Sequence, residues 1–173
     1  MQRGPSIGIG VIMVVCMSLG LAAHGQTNSA PNSSSKGTAM ATHAKGTFEV
    51  KLNPQTPDGK YEDSALSRMT IDKQFHGDLE GASKGQMLTA ATETKGSGAY
   101  VAIERVTGTL KGRSGTFILQ HGGTMTGGVP KLNVTVVPDS GTGQLVGLAG
   151  KMEIIIESGK HSYDFEYTLP AAP

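Results

Sequence analysis

From Ala44 to the end of the chain, apolar and polar residues alternate with period two. Nowhere does a 3.6-residue period persist for ten residues. Alternation places successive side chains on opposite faces of an extended strand, so the pattern predicts half-buried strands and no substantial helix. Phe48, Val50 and Leu52 alternate with Thr47, Glu49 and Lys51, and this run ends at Asn53-Pro54 and a loop through Pro57-Asp58-Gly59. Further strands are predicted over Leu66–Phe75, Leu79–Thr92, Tyr100–Leu110, Thr116–Met125, Leu132–Val137, Lys151–Glu157 and Lys160–Leu169. Glycine supplies 25 of the 173 residues, and Gly81 and Gly85 interrupt the third run. Glycines inside strands mark bulges or the sharp coiling that a small closed barrel requires. Eight short strands on one sheet-forming segment predict an all-β sandwich or barrel.

The two tightest hairpins divide the faces. A turn at Ser158-Gly159 sets Glu157 opposite Lys160 and Ile154 opposite Tyr163. Met152, Ile154, Ile156, His161, Tyr163, Phe165 and Tyr167 then share the buried face. A turn at Gly112-Arg113 sets Lys111 opposite Ser114, Glu104 opposite His121, and Tyr100 opposite Met125. A carboxylate and an imidazole then sit side by side among Tyr100, Val106, Phe117, Leu119 and Met125. Glu104 and His121 are the candidate catalytic pair, because burial and a charged neighbour push a carboxyl pKa in opposite directions. Tyr100, Phe117, Leu119, Met125, His161 and Tyr163 are the candidate ligand-binding residues. The opposite face of this hairpin is also partly apolar, as in a barrel whose outer wall packs on a partner or on loops, and a homo-oligomer is one such arrangement.

The first 25 residues read as a signal peptide. Arg3 precedes an apolar run from Ile7 to Leu21, and small residues follow at Ala22 and Ala23. The run is shorter than the ~20 residues a spanning helix needs, so no membrane span is expected in the mature chain, and export to the periplasm or beyond is. Val14 and Val15 before Cys16 fit lipoprotein processing badly, and Cys16 is expected to leave with the signal. Residues 26–42 are rich in Ser, Asn, Thr and Ala without an apolar period, a flexible tether ahead of a barrel domain at 43–170. Without Arg3, basic and acidic residues balance at 14 each, which leaves no electrostatic footprint for nucleic acid. The single cysteine excludes a disulfide framework.

Other motifs carry less. Gly141 to Gly147 spells GxGxxxG without a following βαβ unit, so it reads as a tight corner, with Leu145 and Leu148 plugging the barrel end. No cofactor is called for, and no histidine pair has a short-range metal-ligand spacing. His76, His121 or His161 with Glu104 could meet only across strands. Lys73 lies between Ile71 and Phe75 in the second strand. It is read as solvated rather than as an inward amine. Ser83 lies at a turn or bulge without a nucleophile elbow.

Four pieces of the chain carry a family resemblance: Arg68–Leu88, Tyr100–Met125, Gly141–Gly150 and the ending from His161 to Tyr167. They resemble a bacterial domain-of-unknown-function family of small β proteins, secreted or cytoplasmic, built like the allene oxide cyclase and dirigent barrels. The resemblance implies an eight-stranded antiparallel barrel with a central cavity over residues 42–169, and it implies no established reaction. Three functions are therefore compared. The leading one is an exported barrel binding a small, mostly apolar molecule in its cavity. The others are a cyclase or isomerase by fold analogy, and a dirigent-like surface protein without chemistry.

Overall fold

The computed structural model describes residues 41–56 and 65–171. The predicted signal peptide, Cys16, most of the tether and the Pro57-Asp58-Gly59 loop lie outside the described residues. Eight strands follow in order: β1 (Thr42–Pro54), β2 (Leu66–Gly77), β3 (Leu79–Ala91), β4 (Gly98–Leu110), β5 (Arg113–Thr126), β6 (Val129–Val136), β7 (Ala149–Glu157) and β8 (Lys160–Thr168). Each pairs antiparallel with the next, and β1 returns to β8, so the sheet closes into a barrel. Thr42, read from sequence as the end of the tether, is the first residue of β1 and lies opposite Tyr167.

The β7–β8 hairpin has the predicted register, Glu157 opposite Lys160 and Ile154 opposite Tyr163. Ser158 and Gly159 take φ of 50° and 77°, the left-handed pair of a two-residue hairpin turn. The β4–β5 hairpin differs from the prediction. Lys111 (φ 45°) and Gly112 (φ 83°) form its turn, so Leu110 faces Arg113 and Glu104 faces Leu119 rather than His121. The turn needs two consecutive residues at positive φ, and Gly112 serves as the second of them, not the first. The displacement is two residues along the pairing, which preserves which side chains face inward.

The inward side chains split the lumen into two halves. One end of the barrel is filled. Phe117 stacks on Phe165 at 5.9 Å, Phe75 meets the edge of Tyr163 at 5.8 Å, and Leu79 and Leu110 complete the packing. The connection from β6 to β7 closes that end, with a single 3-10 turn at Gly143–Leu145 and both Leu145 and Leu148 buried as expected. Thr142 holds this corner to β5, its hydroxyl accepting the Thr116 amide at 3.0 Å while its own amide donates to the Thr116 carbonyl. Strand pairing is sparse between β6 and β7, which share only the Thr135–Lys151 pair at the end next to this corner.

At the opposite end the inward positions become wet. Ile156, expected on the buried face, is 58% exposed, and Met125 is 45% exposed. Both occupy the inward parity of their strands but lie next to the hairpin ends, where no described element covers them. Alternation reports which face a residue is on and not how far along the barrel it sits.

Backbone crowding at the filled end makes a direct test. A Cβ at Gly46 would overlap the His76 carbonyl oxygen and sit 2.6 Å from the Tyr163 hydroxyl oxygen, whereas one at Gly122 meets nothing within 4 Å. Gly46→Ala should lower unfolding free energy by about 1–3 kcal/mol. Gly122→Ala should change it by no more than about 0.5 kcal/mol, both read from denaturant midpoints.

Candidate functional site

A buried polar cluster lies between the two halves of the lumen, and four consecutive strands each contribute one side chain. Glu104 of β4 is fully buried. Its Oε1 accepts from Lys73 Nζ of β2 at 2.9 Å and from His121 Nε2 of β5 at 3.0 Å. Its Oε2 accepts from Ser83 Oγ of β3 at 3.0 Å. The pairing explains how side chains two strands apart can meet. Lys73 faces Ser83 and Ile71 faces Gly85, which in turn faces Glu104. The small residues on β3 leave a passage through which the lysine chain reaches the carboxylate.

Glu104 and His121 are diagonal rather than directly opposite. Ala102 is the residue facing His121, and its small side chain lets the imidazole lean across to Glu104. The sequence prediction brought the right two residues together through a register two residues out. Lys73 is the clear correction. Read from sequence as solvated, its side chain is only 6% exposed, and its ammonium lies 5.0 Å from the Phe48 ring centroid. A lysine inside the barrel needs a counter-charge, and Glu104 supplies it. Ser83, set aside as a turn or bulge residue, is the fourth member. The available signal was Lys73 sharing the parity of Ile71 and Phe75, the apolar face of β2.

Burial pushes the Glu104 carboxyl upward, but the His121 hydrogen bond and the Lys73 charge outweigh it. The result is a pKa of about 2, well below the ordinary 4.5. Glu104 is therefore ionised at any physiological pH and carries three donated hydrogen bonds, a poor group for exchanging protons. What it does is fix His121: Nε2–H points at the carboxylate, and in the neutral ring Nδ1 is left as an acceptor.

The candidate ligand-binding residues fall into two groups. Phe117, Leu119 and Tyr163 are fully packed in the filled end and line no opening. The Tyr163 hydroxyl accepts the Leu79 amide at 2.9 Å, a tie to the β2–β3 turn. Tyr100 and His161 are half-buried toward the open end, and Met125 lies exposed at its rim. Burial, followed by the Glu104 charge, raises the Tyr100 pKa. Of the three histidines that could meet Glu104 across strands, His121 does so and His76 and His161 do not. His76 is on the outer wall with Glu49 at 3.0 Å, and His161 packs on the Phe48 ring at 5.1 Å. No group of three or more His, Cys, Asp or Glu side chains is placed to hold a metal ion among the described residues.

The family model described as "Protein of unknown function (DUF3224)" matches residues 44–167, the barrel itself. The chain belongs to the DUF3224 family. It is similar to a solved DUF3224 protein of unknown function from Shewanella oneidensis MR-1, at 47% identity and a TM-score of 0.71. That similarity covers 77% of this chain and all of the other. No curated protein matches. The DUF3224 barrel and its closed eight-strand architecture stand on these matches, which carry no reaction and no ligand.

The cluster has a pH signature. Because the folded pKa of Glu104 lies below its unfolded value, the stability it confers is present above about pH 4.5 and lost as pH falls toward 2, roughly 3 kcal/mol in all. Glu104→Gln should cost about 3–5 kcal/mol by leaving Lys73 buried without its counter-charge, and a Lys73→Met/Glu104→Gln double variant should recover part of that loss. Denaturant unfolding of the single and double variants measures both effects.

Proposed function

We propose that this DUF3224 barrel is an exported binding protein that holds a small, mostly apolar molecule in the open end of its lumen. The observation that carries this reading is the asymmetry of the inward face. One end is sealed by Leu79, Leu110, Leu145 and Leu148, while inward Val50, Met69, Tyr100, Ile154 and His161 stay half-buried toward the other. Apolar side chains left half-wet on a concave face gain by covering themselves with an apolar guest. Ile71, Met87 and Ala102 form a small apolar cluster of their own on this side, with Val50, Met69 and Tyr100 packed against it. His121 and the Tyr100 hydroxyl supply the few polar groups that could orient such a guest. The apolar segment after Arg3 supports export.

Binding is favoured over catalysis by the state of Glu104. A carboxylate with a pKa of about 2 and three donors already in place is arranged for holding a neighbour still. The cyclase and dirigent-like readings have no comparable observation behind them.

Native mass spectrometry and solvent extraction of the purified protein should reveal a retained apolar molecule. Val50→Phe, which fills the half-buried space beside Lys73, should abolish retention while leaving the melting temperature within a few degrees. Retention undiminished by Val50→Phe, or an empty protein on extraction and no uptake from a lipid extract, would overturn the reading.

A further inference from the structure

The outer wall of β2 to β5 carries a concave groove of about 710 Å3, lined by Ile103, Ile118, Lys84 and Arg105 among others. Its floor is unusual for a barrel wall. Gly85 lies there, where β3 and β4 come so close that an added Cβ would be 2.6 Å from the Glu104 Cβ. Gly85 has the inward parity of Ser83 and Met87, so at this point no β3 side chain stands between the groove floor and the Glu104 cluster.

Cross-strand pairing arranges the outward side chains in rows. One row runs Asp72, Lys84, Arg105, Ile118; the next runs Thr70, Gln86, Ile103, Gln120; the third runs Arg68, Leu88, Val101, Gly122. Three of the four side chains in the first row are charged, while Ile118, Ile103, Leu88 and Val101 put one apolar side chain in each of the first two rows and two in the third, all on β3 to β5. Ile103 is 52% exposed, and Leu88 and Val101 are more so. An outward strand face bathed in water is ordinarily polar, so this stripe is surface awaiting a cover.

The charges say which cover fits. Lys84 is 3.3 Å from Asp72, the one carboxylate in these rows. Arg105 hydrogen-bonds only to the Thr116 hydroxyl at 3.4 Å, and among the described residues neither it nor Arg68 has a carboxylate partner. With Asp72 set against Lys84, Arg105 and Arg68, the three rows carry a net positive charge, so two copies of this wall placed face to face would bring like-charged faces together. A guest with an anionic head and an apolar tail matches both features, and three rows two residues apart span roughly 13 Å along the strands.

We propose that this groove binds a long-chain carboxylate. The head group pairs with Arg105 and Lys84, and the chain lies over Ile103 and Ile118 toward Leu88 and Val101. Arginine suits such a head because its fork matches a carboxylate with two parallel hydrogen bonds. The site is separate from the lumen and stands whether or not the lumen takes a guest.

Isoleucine methyl NMR separates the two sites, with dodecanoate added below its micelle concentration. Ile103 and Ile118 report the groove; Ile154 and Ile156, of inward parity on β7, report the lumen. The Ile103 and Ile118 methyls should shift in a saturable manner, and Arg105→Glu/Lys84→Glu should weaken binding at least ten-fold. Lys160→Glu, across the barrel, should leave it unchanged, and dodecanol should bind at least ten-fold more weakly than dodecanoate. Melting curves establish that the variants are folded. Shifts confined to Ile154 and Ile156 would overturn the groove while leaving the lumen reading intact. Equal binding by the charge-reversed variant or by dodecanol would overturn the anion-head assignment.

Discussion

A fully buried carboxylate is costly unless donors surround it, and in this barrel Glu104 is surrounded from three neighbouring strands. Lys73, Ser83 and His121 are each held at one register position, so the cluster links β2, β3, β4 and β5 at a fixed stagger. A slip of one strand by one residue would leave a charge stranded against an apolar wall. Hydrophobic packing alone would tolerate more variation, because the inward face offers many interchangeable apolar contacts. The polar cluster is thus a device for specificity of pairing as much as for stability.

That cluster also divides the interior. On one side aromatic rings and leucines fill the lumen to the corner of the β6–β7 connection. On the other the same inward parity runs out to half-wet residues such as Met69 and Ile154. A barrel of eight strands is just wide enough for its side chains to fill it or to leave one small cavity. Here the burial of the inward face differs from end to end, and the Lys73–Glu104–His121 layer marks the change.

Much of this was legible in the residues. Strand positions followed from alternation, and the β7–β8 register followed from the two-residue turn at Ser158-Gly159, since a slip by one residue would turn Tyr163 and Phe165 outward. The β4–β5 register was two residues out, because a lysine at φ 45° gives no compositional sign of itself beside Gly112. The error kept the faces, so Glu104 and His121 were still brought together. Lys73 was not recognised as interior. Its counter-charge lies 31 residues on and two strands away, a relation that one strand's pattern cannot express. The wet end of the lumen was equally hidden. Met125 and Ile156 have the parity of core residues, and only their distance from the barrel's middle exposes them.

The functional account thus rests on Glu104 being a permanent anion that holds the floor of the lumen in shape, rather than a proton carrier. Side-chain carboxyl carbon NMR, followed for Glu104 against pH in the folded protein, tests that most directly. The account predicts an ionised chemical shift through pH 4.5 and below, with any change setting in only toward pH 2. A midpoint at or above 4.5 would contradict it, because the carboxyl would then be exchanging its proton where an acid–base catalyst needs to.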